Sequence, residues 1–131
     1  MKNKDTAIFR YGQKIAEVHR CTSSVETGVG LLKTPELKRE NGLHTGIIMP
    51  IPVSRQKYSG FINSIHMIGM KYPIAVFWVD KDGVVVTKVY AMPGFRVYSP
   101  KKPSVCVIEL NIEAYHAIDV GDKLVFEDLN T

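Results

Sequence analysis

The side chains in this sequence that are capable of chemistry fall into three sets. His66-Met67-Ile68-Gly69-Met70, with Met49 upstream, joins an imidazole to thioethers, the soft donor set that suits a cuprous ion. Methionines beside an apolar strand usually fill gaps in a core, and no second ligand follows at metal spacing, so no metal and no cofactor are expected. Arg96, Tyr98, Lys101 and Lys102, close to Tyr90 and Phe95, interleave basic and aromatic side chains as binders of single strands do. An ordinary solvated proline-rich loop has the same composition, and the small basic excess argues against nucleic acid as a partner. With His66, these four are the candidate ligand-binding residues, for an anionic ligand or a protein partner. The third set is the carboxylates Asp80, Asp82, Glu109, Asp119 and Asp122. Several stand in turns, where Asp normally caps its own backbone.

A spatially assembled acid–base pair, His66 with Asp80 or Glu109, is the enzymatic alternative. His19, His44 and His116 are scattered, no Ser or Cys stands in a Gly-x-Ser-x-Gly context, and no Gly-rich phosphate loop is present. A non-catalytic binding or accessory module therefore ranks ahead of an enzyme. An oligomeric structural protein whose strand edges pair between chains ranks third.

The elements that must position these groups read as mostly β. Thr6 to Tyr11 and Lys14 to Cys21 are strands joined at Gly12-Gln13. Ser23 as an N-cap, Glu26 three residues on, and Val25, Val29 and Leu32 at helical spacing predict a short helix over Ser24–Lys33. Pro35 to Glu40 begins a second helical turn, with Asn41-Gly42 as its stop. Gly46 to Met49 is a short apolar run closed by prolines, Ser54 to Gly60 a polar loop, and Phe61 to Met67 an alternating strand. Pro73 to Asp80 and Val84 to Ala91 flank Lys81-Asp82-Gly83 as a hairpin, and both arms are apolar enough to be central and covered on both faces. Met92 to Pro103 is an exposed connection. Ser104 to Leu110 is a strand with Cys106, Ile108 and Leu110 on one face, Asn111 to Ile118 makes about two helical turns, and Lys123 to Glu127 is a last strand.

The chain has 131 residues, 45% hydrophobic and 23% charged, which suits one domain, 1–131, with one core and excludes disordered and coiled-coil classes. Its formal charge of +4 is too small for a dedicated nucleic-acid binder. No apolar run reaches the ~20 residues of a membrane helix, and no apolar stretch follows the basic start, so a cytoplasmic protein without membrane contact is expected. Cys21 and Cys106 are isolated and expected to be reduced core residues.

Gly30-Leu31-Leu32, the stretch from Ile65 through Met67, Gly69, Tyr72-Pro73-Ile74 and Trp78 to Asp80-Lys81-Asp82-Gly83, and Val107-Ile108-Glu109-Leu110 followed by Val120-Gly121-Asp122 occur in an order that resembles the Domain of Unknown Function 192 family. The resemblance spans about residues 14 to 127 by motif order. It implies a β-sandwich or barrel-like sheet with one or two short helices, and no established activity. The chain departs from the family at polar positions: Thr27 stands where Arg is usual, Leu32 where Met is usual, and Ala75 where an acidic residue is favoured.

Overall fold

The computed structural model describes residues 3–22, 31–32 and 34–129. Seven strands, β1 (Thr6–Arg10), β2 (Gln13–Arg20), β3 (His44–Pro50), β5 (Ile74–Val79), β6 (Val85–Ala91), β8 (Cys106–Leu110) and β9 (Leu124–Asp128), form one sheet in the order β6-β5-β8-β3-β2-β1-β9. Its two ends curl toward each other. Val84 bridges Lys123, Val85 N–H donates to Asp122 O at 2.9 Å, and Leu124 N–H donates to Gly83 O at 2.7 Å. The fold is thus mostly β and barrel-like. A separate ribbon pairs β4 (Ile65–His66) with β7 (Val97–Tyr98). A single helical turn, α1 (Ala114–Ala117), follows β8.

Strand alternation gives the sheet two apolar layers. Ile8, Val18, Ile48, Phe77, Ile108 and Leu110 point inside the curl, where Ala114 and Ile118 pack with them. Ile47, Met49, Ile74, Val76, Trp78 and Val107 point outward and are covered by Leu31, Leu37, Ile51, Met67 and Tyr72. Every residue of β5 and β8 is buried. The expectation of a strand covered on both faces holds for the first hairpin arm. The second arm, β6, lies at the end of the strand order and alternates in burial, since its outer neighbour is reached only near its start.

Turn chemistry accounts for the other departures from sequence expectation. The first hairpin turns on Tyr11-Gly12, both at positive φ (52° and 76°), so β2 begins at Gln13. Asn41-Gly42 repeats that geometry (54° and 78°) between the bridged Glu40 and Leu43, a two-residue hairpin turn in place of a helix stop. Residues 35–39 form no helix. Phe61 to Met67 is not one strand: Phe61–Asn63 is a 3-10 turn, because Asn63 Nδ2 donates to Arg55 O (2.9 Å) and Tyr58 O (3.0 Å), local bonds that compete with a ladder. The two turns expected over Asn111 to Ile118 reduce to one. Met92 to Pro103 is largely exposed but contains β7 and the buried Pro100. The helix expected over Ser24–Lys33 lies, apart from Leu31 and Leu32, outside the described residues.

β3 and β8 approach so closely at Gly46 that a Cβ there would sit 1.8 Å from the Glu109 carbonyl oxygen. Gly46→Ala therefore has to push two central strands apart, and a loss of about 3 kcal/mol or more is expected in urea denaturation. Gly12→Ala meets no atom within 4 Å and has only its φ of +76° against it, so about 1 kcal/mol is expected. Equal losses would contradict this account of the β3–β8 contact.

Candidate functional site

Residues 51 to 72 run over the outer face of the sheet and are tied to it by a side chain from β5. Trp78, fully buried, donates its indole N–H to Asn63 O at 3.0 Å. The ribbon holds the far end, with Met67 N–H donating to Arg96 O and Gly60 N–H to Pro100 O, both at 3.0 Å. Between loop and sheet lies a cavity of about 250 Å³. Met49, Ile74, Val107 and Glu109 line it from the sheet, Asn63 to Met67 and Met70 from the loop, and the exposed Arg55 and Ile62 also border it.

Glu109 is the unusual member. In the ladder it stands between Ile47 of β3 and Val76 of β5, in the outward-facing register of β8. It is 7% exposed, and no described residue donates a hydrogen bond to its carboxyl group. Burial pushes its pKa up to about 7. Among the described residues, two fully buried polar atoms in this layer lack partners, Asn63 Oδ1 and the Tyr72 hydroxyl. Burial first, then the charges of Glu109 and Glu36, push Tyr72 up to about 12. The cavity thus presents apolar walls, the Glu109 carboxyl group and Asn63 Oδ1, neither of which accepts a hydrogen bond from a described residue, with Arg55 and His66 at its border.

Among the residues singled out in the sequence, His66, Met67, Met70 and Met49 all border this cavity with Glu109. Met49 and Met67 are buried members of the outer apolar layer, so their thioethers fill core space, while His66 is exposed. No group of three His, Cys, Asp or Glu suited to a metal occurs among the described residues. Arg96 and Tyr98 lie on or beside the same ribbon as His66, and Tyr98 Oη accepts from Met92 N–H at 2.9 Å. Lys101 and Lys102 are exposed further along, with Lys101 N–H bonded to Thr87 Oγ1 of β6. Asp80 is separate from the cavity: its Oδ1 accepts from Asp82 N–H (2.9 Å) and Val84 N–H (3.0 Å) and caps the hairpin turn. Cys21 and Cys106 are both buried, in different layers of the sheet, and burial pushes Cys106 up to about 12. Asn63 and Tyr72 carried no signal in the sequence. Glu109 carried one, as the only charge in the apolar run from Val105 to Leu110.

The sequence profile of the Domain of Unknown Function 192 family, described as an uncharacterized conserved group, matches residues 7–126, and the chain belongs to that family. No curated protein matches it. A protein of unknown function from Novosphingobium aromaticivorans shares the fold, with a TM-score of 0.65 at 18% identity over 92% of this chain and 83% of that one. So does a protein from Sinorhizobium meliloti, provisionally described as a transcription regulator, with a TM-score of 0.69 at 16% identity over 98% and 95%. Ala75, which the resemblance read in the sequence sets against an acidic residue, is fully buried in the inner layer, where a carboxylate would have no water. Thr27 lies outside the described residues. No helix among the described residues is long and apolar enough to cross a membrane.

The folded protein holds the Glu109 proton to about pH 7, whereas an exposed Glu releases it near 4.5. The stability that comes from the protonated form is therefore fully present below pH 4.5 and is lost as pH rises through 7. Glu109→Gln, which mimics the neutral acid, is expected to be more stable than the wild type by about 3 kcal/mol at pH 8 and equal to it at pH 4. Parallel stability profiles in urea from pH 4 to 8 would contradict a buried, unpaired carboxyl.

Proposed function

We propose that this protein is a non-catalytic binding module whose ligand is a small molecule with an apolar body and a hydrogen-bond-donating head. The observation that carries this reading is the Glu109 carboxyl group, which borders an apolar cavity and has no donor among the described residues. A buried acceptor left unpaired is costly, and an ammonium or amide group entering the cavity would supply the missing donors. Ile74, Met49 and Val107 would meet the apolar body. This reading places the ligand under the loop, whereas the basic side chains singled out in the sequence lie on the surface. Arg96, Lys101 and Lys102 are exposed and form no ion pair with a described residue, which keeps them available to an anionic or protein partner.

A second reading, acid–base catalysis, rests on one observation: His66 and Glu109 border the same cavity. A carboxyl group titrating near neutrality and an imidazole on one cavity are the two groups such catalysis uses. Hydrolysis of ester or phosphoester substrates that is lost in both His66→Ala and Glu109→Gln would favour it.

Hexylammonium and hexanoate, titrated at pH 8 and followed by backbone amide shifts, separate the outcomes. Saturable hexylammonium shifts at residues 63–67 and 107–110 are expected, with no response to hexanoate and an affinity at least about tenfold weaker in Glu109→Gln. Absence of saturable shifts there, or equal binding of both probes that survives Glu109→Gln, would overturn the reading.

A further inference from the structure

We propose that a second cavity, walled by Arg10, Lys14, Arg39 and His44, is a binding site for a small oxyanion. It lies at the end of the curled sheet beside α1, encloses about 170 Å³, and has Gln13 and the chain at Ala117-Ile118 among its other walls. This site is independent of Glu109 and its cavity. Three cationic side chains reach it from β1, β2 and the segment before β3, and no carboxylate lines it.

The deciding group is His44, 7% exposed at the start of β3. Thr45 N–H donates to Asn111 Oδ1 at 2.9 Å, which fixes the orientation of that amide. Asn111 Nδ2 is then the donor to His44 Nδ1 at 3.0 Å and to Glu113 Oε1 at 3.1 Å. The neutral imidazole must therefore carry its proton on Nε2, for which the described residues provide no acceptor. A ring donor without an acceptor, on a residue only 7% exposed and in a cavity walled by cations, is suited to an oxygen anion.

The cations are held in place by bonds that leave donors over. Arg10 Nη1 bonds Ala117 O and pairs with Asp122 Oδ2 at 3.1 Å. Asp122 also accepts from Tyr11 Oη and Asp119 N–H, both at 2.9 Å. Lys14 pairs with Glu17 at 2.9 Å, and Arg39 Nη2 donates to Gly42 O at 2.7 Å in the two-residue turn. Burial first, then Arg39, hold His44 below its ordinary pKa, and Arg10 adds to the lowering, while the charge of Glu113 acts the other way. A bound anion would favour the imidazolium, so binding tightens as pH falls and His44 titrates at higher pH when the site is filled.

Calorimetric titration of the full chain with inorganic phosphate, and separately with acetate, is paired with ring 15N shifts of His44 across pH. Saturable phosphate binding, an upward move of the His44 midpoint and a loss of about tenfold or more in Arg39→Ala are expected, while Lys57→Ala/Lys81→Ala binds as the wild type does. Acetate binding alongside phosphate would widen the class to carboxylates, and phosphate alone would narrow it to tetrahedral oxyanions. Arg39 is exposed, and Trp78 fluorescence verifies that Arg39→Ala is folded. No saturable binding with an unmoved His44 midpoint, or an equal loss in the distant lysine pair, would overturn the proposal.

Discussion

The structure depends on the burial of β5 and β8 from both sides. Six consecutive residues of β5 and five of β8 are shielded from water, so half their side chains need an inner layer and half an outer one. Curling the sheet supplies the inner layer. The outer layer comes from largely irregular chain segments, including residues 34–43 and 51–72, the second of which holds the short β4 as its one strand, because helices that could lie across the sheet are absent among the described residues. A loop of this kind has many backbone groups to satisfy, which is why Asn63, with two side-chain donations and one backbone acceptance, is central to it.

Glu109 follows from the same constraint. The strand period of two assigns Val107 and Glu109 to the outward face as firmly as it assigns Cys106, Ile108 and Leu110 inward. A carboxyl group in that register has Ile47 and Val76 beside it and a loop above it. A charge there without a partner is unfavourable, and the group keeps its proton to about pH 7. The cavity is the space between this sheet face and the loop that covers it. The cavity beside α1 is built differently: α1 is one turn long, and cationic side chains from β1, β2 and the segment before β3 wall the space next to it.

Much of the sheet was legible in the sequence because alternation and hairpin chemistry are local. The Pro73 to Ala91 hairpin, the inward face of β8 and the mostly β, barrel-like class follow from patterns a few residues long, and the family resemblance rests on motifs in the same strands. Asn41-Gly42 carries as strong a hairpin signal as any in the chain, yet Pro35 behind Thr34 gave an equally local argument for a helix. Only the pairing of Glu40 with Leu43 decides between them. The candidate sites were much less legible. Glu109 entered as one carboxylate of five, and its distinction is a tertiary fact: the loop that buries it lies some forty residues earlier in the chain. His44 carried no local signal, because its meaning comes from Asn111, 67 residues away. The basic loop residues, legible by composition, stay on the surface, with Arg96 and Tyr98 near His66 and the two lysines apart from it.

The central claim is that the carboxyl group of Glu109 is buried without a partner against a cavity that the loop encloses. A 13C titration of the glutamate side-chain carboxyls, with Glu109 assigned through Glu109→Gln, reads that state directly. The account expects one glutamate to titrate near pH 7, apart from the rest. A Glu109 resonance titrating near 4.5 would mean that the group is solvated or paired, and the account of this site would be wrong.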